Sequence, residues 1–148
     1  MPLSVHIVTA EREVYAEEGV DQITIPGSEG ELTVLPEHAS LLTMVKPGIM
    51  RIVKGGEETI STITGGFLEV HNDRVTILAD SAERAEEIDI ARADEARLRA
   101  QRSLDERESR EDLVAAAAAL QRALLRLRAA ERRSRRPGSR PPPGTPGA

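Results

Sequence analysis

Residues 66–80 read GFLEVHNDRVTILAD, and this stretch decides the fold class of the first half of the chain. Within it Leu68 and Val70 alternate with polar residues, and Val75 and Ile77 do the same after a short polar break. An alternation of period two is typical of a strand with one buried face, and the break contains the residue types that favour turns. The stretch therefore predicts two half-buried strands separated by a turn.

The same alternation occurs in earlier segments, for example at Ile23 and Ile25 and again at Leu32 and Val34. Turn-forming residues separate these segments at positions 27–30, 47–48, 55–56 and 65–66. The pair at 55–56 is Gly-Gly, which suits a tight hairpin between two strands. Short strands with turns at this spacing predict an antiparallel β-sandwich domain, which we assign to residues 1–84.

The character of the sequence changes after Asp80, because residues 81–136 contain neither Gly nor Pro and are rich in Ala, Leu, Arg and Glu. These four are strong helix formers. Asp89 is a candidate N-cap for a first helix that runs to about residue 105, and Ser109 is a candidate N-cap for a second. Residues 85–136 are therefore predicted to form an antiparallel α-helical hairpin domain.

The apolar stripes of the two predicted helices are narrow. The positions expected to face inward are Ile90, Ala93, Ala100 and Leu104 in the first helix and Leu113, Ala117, Leu120, Leu124 and Leu127 in the second. Small side chains bury little area, so the hairpin is expected to be only marginally stable and able to open. Residues 137–148 are rich in Pro and Gly and are predicted to form a disordered tail.

The composition argues against several classes of function. The chain has 148 residues, no Cys and only two aromatic residues, Tyr15 and Phe67. Thiolate metal sites are therefore excluded and a base-stacking nucleic-acid surface is disfavoured. The three histidines are scattered, and the sequence contains neither a phosphate-binding glycine loop nor a nucleophile elbow. We predict no catalytic residues, no metal site and no membrane-spanning segment.

Charge divides the chain into two unlike parts. Residues 1–80 hold 5 basic and 13 acidic residues, a net charge of −8, whereas residues 81–148 hold 15 and 12, a net charge of +3. Between positions 122 and 140 there are eight Arg and one acidic residue. Such a helix favours an acidic protein partner. One alternative therefore stays open: a free-standing β-sandwich adaptor whose Arg-rich helix binds nucleic acid or an acidic protein.

Several strings in the first domain together resemble the ε subunit of F-type ATP synthases. They are GSEGELTVLPEHASLLT at 27–43, KPG at 46–48, GGFLEV at 65–70 and VTILAD at 75–80. The resemblance covers roughly residues 3–133 and includes the order of sandwich and hairpin. One departure is Glu37, which stands where the family usually has Gly, and another is the Arg/Pro-rich end.

The resemblance implies a non-catalytic rotor subunit of a proton-translocating ATP synthase, peripheral to the cytoplasmic face of the cell membrane and associated with it only through the complex. In that family the sandwich packs on the γ subunit and touches the polar loops of the c-ring. By motif match, Glu31 faces the c-ring and His38 lies near the γ contact. The hairpin lies against the sandwich when folded; when extended it reaches the α/β catalytic subunits and inhibits ATP hydrolysis.

The resemblance also implies a regulatory ATP site, although no cofactor is required. Residues 88–93 read IDIARA and match the nucleotide motif of ATP-binding members of the family. The implied ATP-binding residues are Glu83, Ile88, Asp89, Arg92, Ala93, Arg99, Arg122 and Arg126. The spacing is compatible with this role, because arginines seven or four residues apart share a helix face and their guanidinium groups bind phosphates bidentately.

Overall fold

The computed structural model describes residues 2–106 and 110–134. Ten strands come first: β1 Leu3–Val8, β2 Glu13–Val20, β3 Gln22–Gly27, β4 Gly30–Val34, β5 Leu41–Val45, β6 Gly48–Lys54, β7 Glu57–Ile63, β8 Gly66–His71, β9 Arg74–Ala79 and β10 Ala82–Arg84. A short 3₁₀ helix, Ala85–Glu87, leads to helix α1, Ile90–Asp105, and helix α2, Arg110–Ser134. The predicted cap Ser109 and the predicted tail at 137–148 lie outside the described residues.

The strands form a sheet in the order β10-β7-β6-β3-β5-β8-β9-β1-β2, with β4 paired to β3. The two ends of this order, β10 and β2, lie against each other, since the Arg84 guanidinium in β10 is 5.2 Å from the ring centroid of Tyr15 in β2. Alternate residues of the strands fill one core, in which Leu3, Val5 and Ile7 are fully buried. The predicted β-sandwich followed by a helical hairpin is thus confirmed. One pairing, β1 with β9, is parallel, which the local alternation did not predict.

The tight hairpin predicted at 55–56 is present, and the turn predicted at 72–73 proves to be a second one. Gly55 and Gly56 have φ angles of 57° and 79°, and Asn72 and Asp73 have φ angles of 48° and 62°. Two successive residues with positive φ make the turn whose twist matches that of the flanking strands. The remaining non-Gly residue with positive φ in the described part of the chain is Glu37, at 67°.

Replacing Glu37 by Gly is expected to stabilise the protein measurably. A left-handed backbone costs a residue with a Cβ roughly 1–2 kcal/mol, so we expect Glu37→Gly to raise the free energy of unfolding by about 1 kcal/mol. The hydrogen bond from the Glu37 N–H to Asp73 Oδ1, 2.6 Å, involves the backbone and is kept. Urea unfolding measures the gain. Glu37→Ala retains the Cβ and is the control; an equal gain in that variant would contradict the backbone explanation.

Helix α1 begins as predicted, because the Asp89 side chain accepts a hydrogen bond from the backbone N–H of Arg92 at 3.2 Å. Ala93 and Ala100 are buried as expected, whereas Ile90 is 48% exposed, so the prediction that it faces inward is wrong. Ile90 is the first residue of the helix, and it does not belong to the buried cluster in which its neighbours Ile88 and Ala93 pack.

The face of α2 that packs inward is rotated about the helix axis by part of a turn from the predicted face. The buried residues are Ala116, Ala123, Leu125, Ala129 and Ala130. The predicted Leu113, Leu120 and Leu127 are only half-buried, and Ala117 and Leu124 are exposed. Small side chains allow the two helices and the sandwich to approach closely, so an alanine-rich face packs inward together with Leu125, and the four predicted leucines are left at or beyond the edge of the contact.

The hairpin packs against the sandwich through a second, smaller cluster. Its buried members are Ile60, Ala85, Ile88, Ala93, Ala129 and Ala130. This cluster is separate from the sandwich core, whose buried residues all lie between positions 3 and 79. No helix in the described residues is both long and apolar enough to cross a bilayer.

Candidate functional site

The outer face of the sheet carries a row of apolar side chains that nothing in the described chain covers. Met44 pairs with Phe67, Phe67 with Leu78, and Leu78 with Val8, so these residues lie side by side across β5, β8, β9 and β1. Met44, Phe67 and Leu78 are 57%, 51% and 57% exposed, and Leu42, further along β5, is 71% exposed. We call these five residues the outer-face stripe. Apolar patches of this kind mark interaction sites.

The outer-face stripe was missed at the level of sequence, although a signal for it exists. Leu41 and Leu42 are consecutive, and so are Ile77 and Leu78. Consecutive apolar residues in a strand place apolar side chains on both faces of the sheet. Leu41 and Ile77 contact the core, and their neighbours point outward. Such a break in strict alternation predicts a strand that is covered on both faces.

The two predicted interface residues lie at opposite ends of the sandwich. Glu31 is near the β3–β4 turn and is exposed, with its Oε1 3.3 Å from the Arg51 guanidinium. His38 is in the β4–β5 loop, where its Nδ1 lies 2.7 Å from the carbonyl of Ala39. In the described residues, no three His, Asp or Glu side chains are grouped so that they could hold a metal ion.

Among the residues implied in ATP binding, Glu83 and Arg126 are in direct contact. Glu83 in β10 accepts two hydrogen bonds from the Arg126 guanidinium in α2, with Nε–Oε2 at 2.8 Å and Nη2–Oε1 at 3.0 Å. The two side chains are 29% and 30% exposed. This parallel pair of bonds is the strong, orientation-specific form of an arginine–carboxylate contact.

The IDIARA segment has one buried side and one exposed side. Ile88 and Ala93 are 5% and 0% exposed and belong to the cluster between the hairpin and the sandwich. Asp89 caps α1, and its Oδ2 lies 3.7 Å from Nε of Arg92, whose side chain is 83% exposed. The expected cap role of Asp89 is therefore confirmed, and Arg92 is accessible to a ligand.

Arg99 and Arg122 are both exposed, but they line different clefts. Arg99 borders a groove of about 380 Å³ between the helices, together with Ala96, Ser103 and Ala115 among others. Arg122 borders a cleft of about 290 Å³ between α2 and the β5–β6 turn. Arg122 follows Ala115 by seven residues, so it projects from the same side of α2 as the groove. The structure brings Glu83 and Arg126 together, and it leaves the side chains of the other three arginines exposed, with Arg92 beside Asp89.

A further set of charges surrounds Tyr15 and was not predicted. The Arg84 guanidinium lies 5.2 Å from the Tyr15 ring centroid, in a cation–π arrangement that ties β10 to β2. Lys54 Nζ donates to Glu17 Oε2 at 2.7 Å, and this hydrogen bond lowers the pKa of Glu17 and raises the pKa of Lys54. Burial, and then the neighbouring Glu17 charge, raises the pKa of Tyr15.

The pKa of Tyr15 gives a simple test of this cluster, because Tyr15 is the single tyrosine and the chain has no Trp. We expect the tyrosinate absorbance to appear with a midpoint above the ordinary value of 10.0. Since the folded-state pKa is raised, its contribution to stability is fully present below the unfolded-state pKa and is lost as pH rises from there through the folded-state pKa. Glu17→Gln should lower the midpoint. Glu69→Gln, on the outer face of the sheet, is the control and should not move it.

Comparisons with known proteins agree with the two-part architecture. The family model described as "ATP synthase, Delta/Epsilon chain, beta-sandwich domain" matches residues 2–85, and "ATP synthase, Delta/Epsilon chain, long alpha-helix domain" matches residues 86–131. An "ATP synthase epsilon chain" of Herpetosiphon aurantiacus is 50% identical over 136 residues, which are 92% of this chain and 99% of that protein. One from Dehalococcoides mccartyi is 51% identical over 136 residues, 91% and 96% of the two chains.

Two solved structures are also similar. A chain in a cryo-EM structure of Euglena gracilis mitochondrial ATP synthase, titled OSCP/F1/c-ring, aligns with a TM-score of 0.70 and 26% identity over 81% of this chain and 76% of that chain. A chain in the central stalk/c-ring structure of the Tetrahymena thermophila enzyme has a TM-score of 0.56 and 17% identity over 88% and 97%, and shares the fold. With both family models covering the described domains, the chain belongs to the delta/epsilon chain family of ATP synthases.

Proposed function

We propose that the chain is a non-catalytic central-stalk subunit of a proton-translocating ATP synthase, and that its sandwich docks on the γ subunit through the outer-face stripe. The observation that carries the proposal is the register of Met44, Phe67 and Leu78 across three strands, each more than half exposed. The epsilon-chain names of the relatives and the rotor content of the Euglena structure support the assignment. The subunit would then be peripheral, at the cytoplasmic face of the membrane.

The ends of the sandwich suggest its orientation in the complex. The β3–β4 turn near Glu31 lies at the same end as the β5–β6 turn, since the N–H of Lys46 donates to the carbonyl of Pro26. We assign this end to the polar loops of the c-ring. His38 lies at the other end, near the β8–β9 turn, because its neighbour Glu37 bonds to Asp73. We assign His38 to the border of the γ contact.

Regulation is assigned to the hairpin. Its contact with the sandwich consists mainly of alanines, so folded and extended arrangements are expected to differ little in free energy. Arg122, Arg128 and Arg132 of α2 are exposed and available to acidic surfaces. In the extended arrangement this helix would contact the α/β catalytic subunits and inhibit ATP hydrolysis.

ATP is assigned as the ligand that favours the folded hairpin, with Arg92, Arg99, Arg122 and Arg126 as phosphate contacts. Binding to the folded protein at a hundredfold excess over Kd adds about 2.7 kcal/mol, a rise in melting temperature of roughly 5–10 °C. Arg92→Ala should abolish most of this rise. Arg128→Ala, which removes an exposed arginine outside the assigned set, should not. No rise at millimolar ATP in the unaltered protein would refute the site.

The central proposal is tested by co-expression of the full chain with the γ subunit of the same complex. We expect a complex that survives gel filtration at both low and high salt, because an apolar contact is weakly screened. If γ does not copurify with the chain, and the chain instead binds DNA in a salt-dependent way, the result would support the adaptor alternative, since phosphate contacts weaken steeply with salt.

A further inference from the structure

The ion pair between Glu83 and Arg126 joins the two domains at one point. Glu83 belongs to the last strand of the sandwich and Arg126 to the second helix, and 43 positions separate them in the sequence. The two hydrogen bonds are 2.8 and 3.0 Å long, and each side chain is about 70% buried by its surroundings. Two of the guanidinium N–H groups that would bind a phosphate are therefore already occupied by a carboxylate of the same chain.

We propose that Glu83 is an internal anion that takes the place of a nucleotide phosphate on Arg126 and latches the hairpin closed when no nucleotide is bound. The inference rests on the proposed function, because it concerns the same hairpin and the same arginine. Its consequence is that Glu83 and a phosphate compete for one guanidinium. Glu83 then opposes nucleotide binding, whereas the family resemblance makes it a nucleotide contact.

The surroundings of Glu83 favour this arrangement over one in which a phosphate holds Arg126. Glu83 lines a cleft of about 510 Å³ that also contains the carboxylates of Glu11, Asp80 and Glu87. The cationic side chain in that lining is Arg12, which lies 3.5 Å from Glu87. A phosphate that displaced Glu83 from Arg126 would leave its carboxylate facing other negative charges, which is unfavourable.

Neighbouring contacts place the latch where it controls the hairpin. Arg133, two turns beyond Arg126 in α2, donates a hydrogen bond to the carbonyl of Ala85, two residues beyond Glu83. Ala129, between the two arginines, is fully buried against the sandwich. Loss of the Glu83 contact, with no phosphate on Arg126 to replace it, therefore loosens the segment of α2 that holds the hairpin on the sandwich.

The first experiment measures the ratio of open to closed hairpin in the absence of nucleotide, from the distance between two spin labels. Because the chain has no Cys, spin labels can be attached at Glu57→Cys in β7 and Ala117→Cys in α2, both at exposed positions. We expect Glu83→Gln to raise the ratio of open to closed hairpin about tenfold, and the charge-exchanged double variant Glu83→Arg/Arg126→Glu to restore most of the closed form. Asp94→Asn, which breaks an ion pair within α1, is the matched control and should change nothing.

An unchanged ratio in Glu83→Gln would overturn the latch, and so would a double variant no more closed than either single variant.

The second experiment is a calorimetric titration of the full chain with ATP. We expect Glu83→Gln to bind ATP about tenfold more tightly than the unaltered protein. Weaker binding by that variant would show that Glu83 contacts the nucleotide, and would refute the competition. If neither protein binds ATP, the ATP part of the proposed function fails, and the label distances decide on the latch alone.

Discussion

Replacing Phe67 by Glu is expected to weaken binding of the γ subunit at least about 100-fold. Phe67 is the central member of the outer-face stripe, paired with Met44 on one side and Leu78 on the other. The substitution removes about 1.5–3 kcal/mol of apolar burial and places a carboxylate without a partner in the contact. Since each 1.4 kcal/mol changes an affinity tenfold, a total of about 3 kcal/mol already gives this loss.

Titration of purified γ with the full chain measures the effect. The phenyl side chain of Phe67 points away from the sandwich core and is 51% exposed, so the variant should fold and melt nearly as the unaltered protein does. Val114→Glu is the matched control, because Val114 is a 66% exposed apolar residue on α2. Full binding by Phe67→Glu, or an equal loss in Val114→Glu, would contradict docking through the outer-face stripe.

The strands show what local sequence decides in this fold. The pairs Gly55–Gly56 and Asn72–Asp73 fix two hairpins, because the residues that flank each turn are its pairing partners. The parallel pairing of β1 with β9 joins residues about 70 positions apart, such as Val5 and Val75. No local turn specifies that neighbour, and it depends on how the whole sheet closes.

For the helices too, the local sequence predicted the elements but not how the candidate site residues are brought together. Their existence, and the cap at Asp89, followed from composition and local chemistry. The inward face of α2 did not, because the helix packs against two surfaces at once and the close approach of Ala123 and Ala130 outweighs the larger area of the four predicted leucines. Spacing likewise put arginines on shared faces, but the contact between Glu83 and Arg126 depends on the docking of one domain on the other.

Ending the chain after Ala85 is expected to abolish inhibition of ATP hydrolysis while leaving the binding of γ within about threefold. The outer-face stripe and the buried sandwich core lie entirely within the residues that remain. The deletion uncovers part of the smaller cluster, mainly Ile60, and removes the ion pair of Glu83. Newly exposed Ile60 costs about 1–3 kcal/mol of stability, which a domain with its own core is expected to tolerate.

The measurement is the rate of ATP hydrolysis by the assembled complex, reconstituted with the full chain or with the truncated chain. A chain that ends after Ser134 is the matched control, because it keeps both helices and should still inhibit. Inhibition that survives truncation after Ala85 would assign it to the sandwich and contradict the hairpin mechanism. Inhibition lost equally in the control would assign it to residues 135–148. Because γ binding and inhibition are read on the same variants, a folding defect, which would lower both, is distinguished from loss of the regulatory element alone.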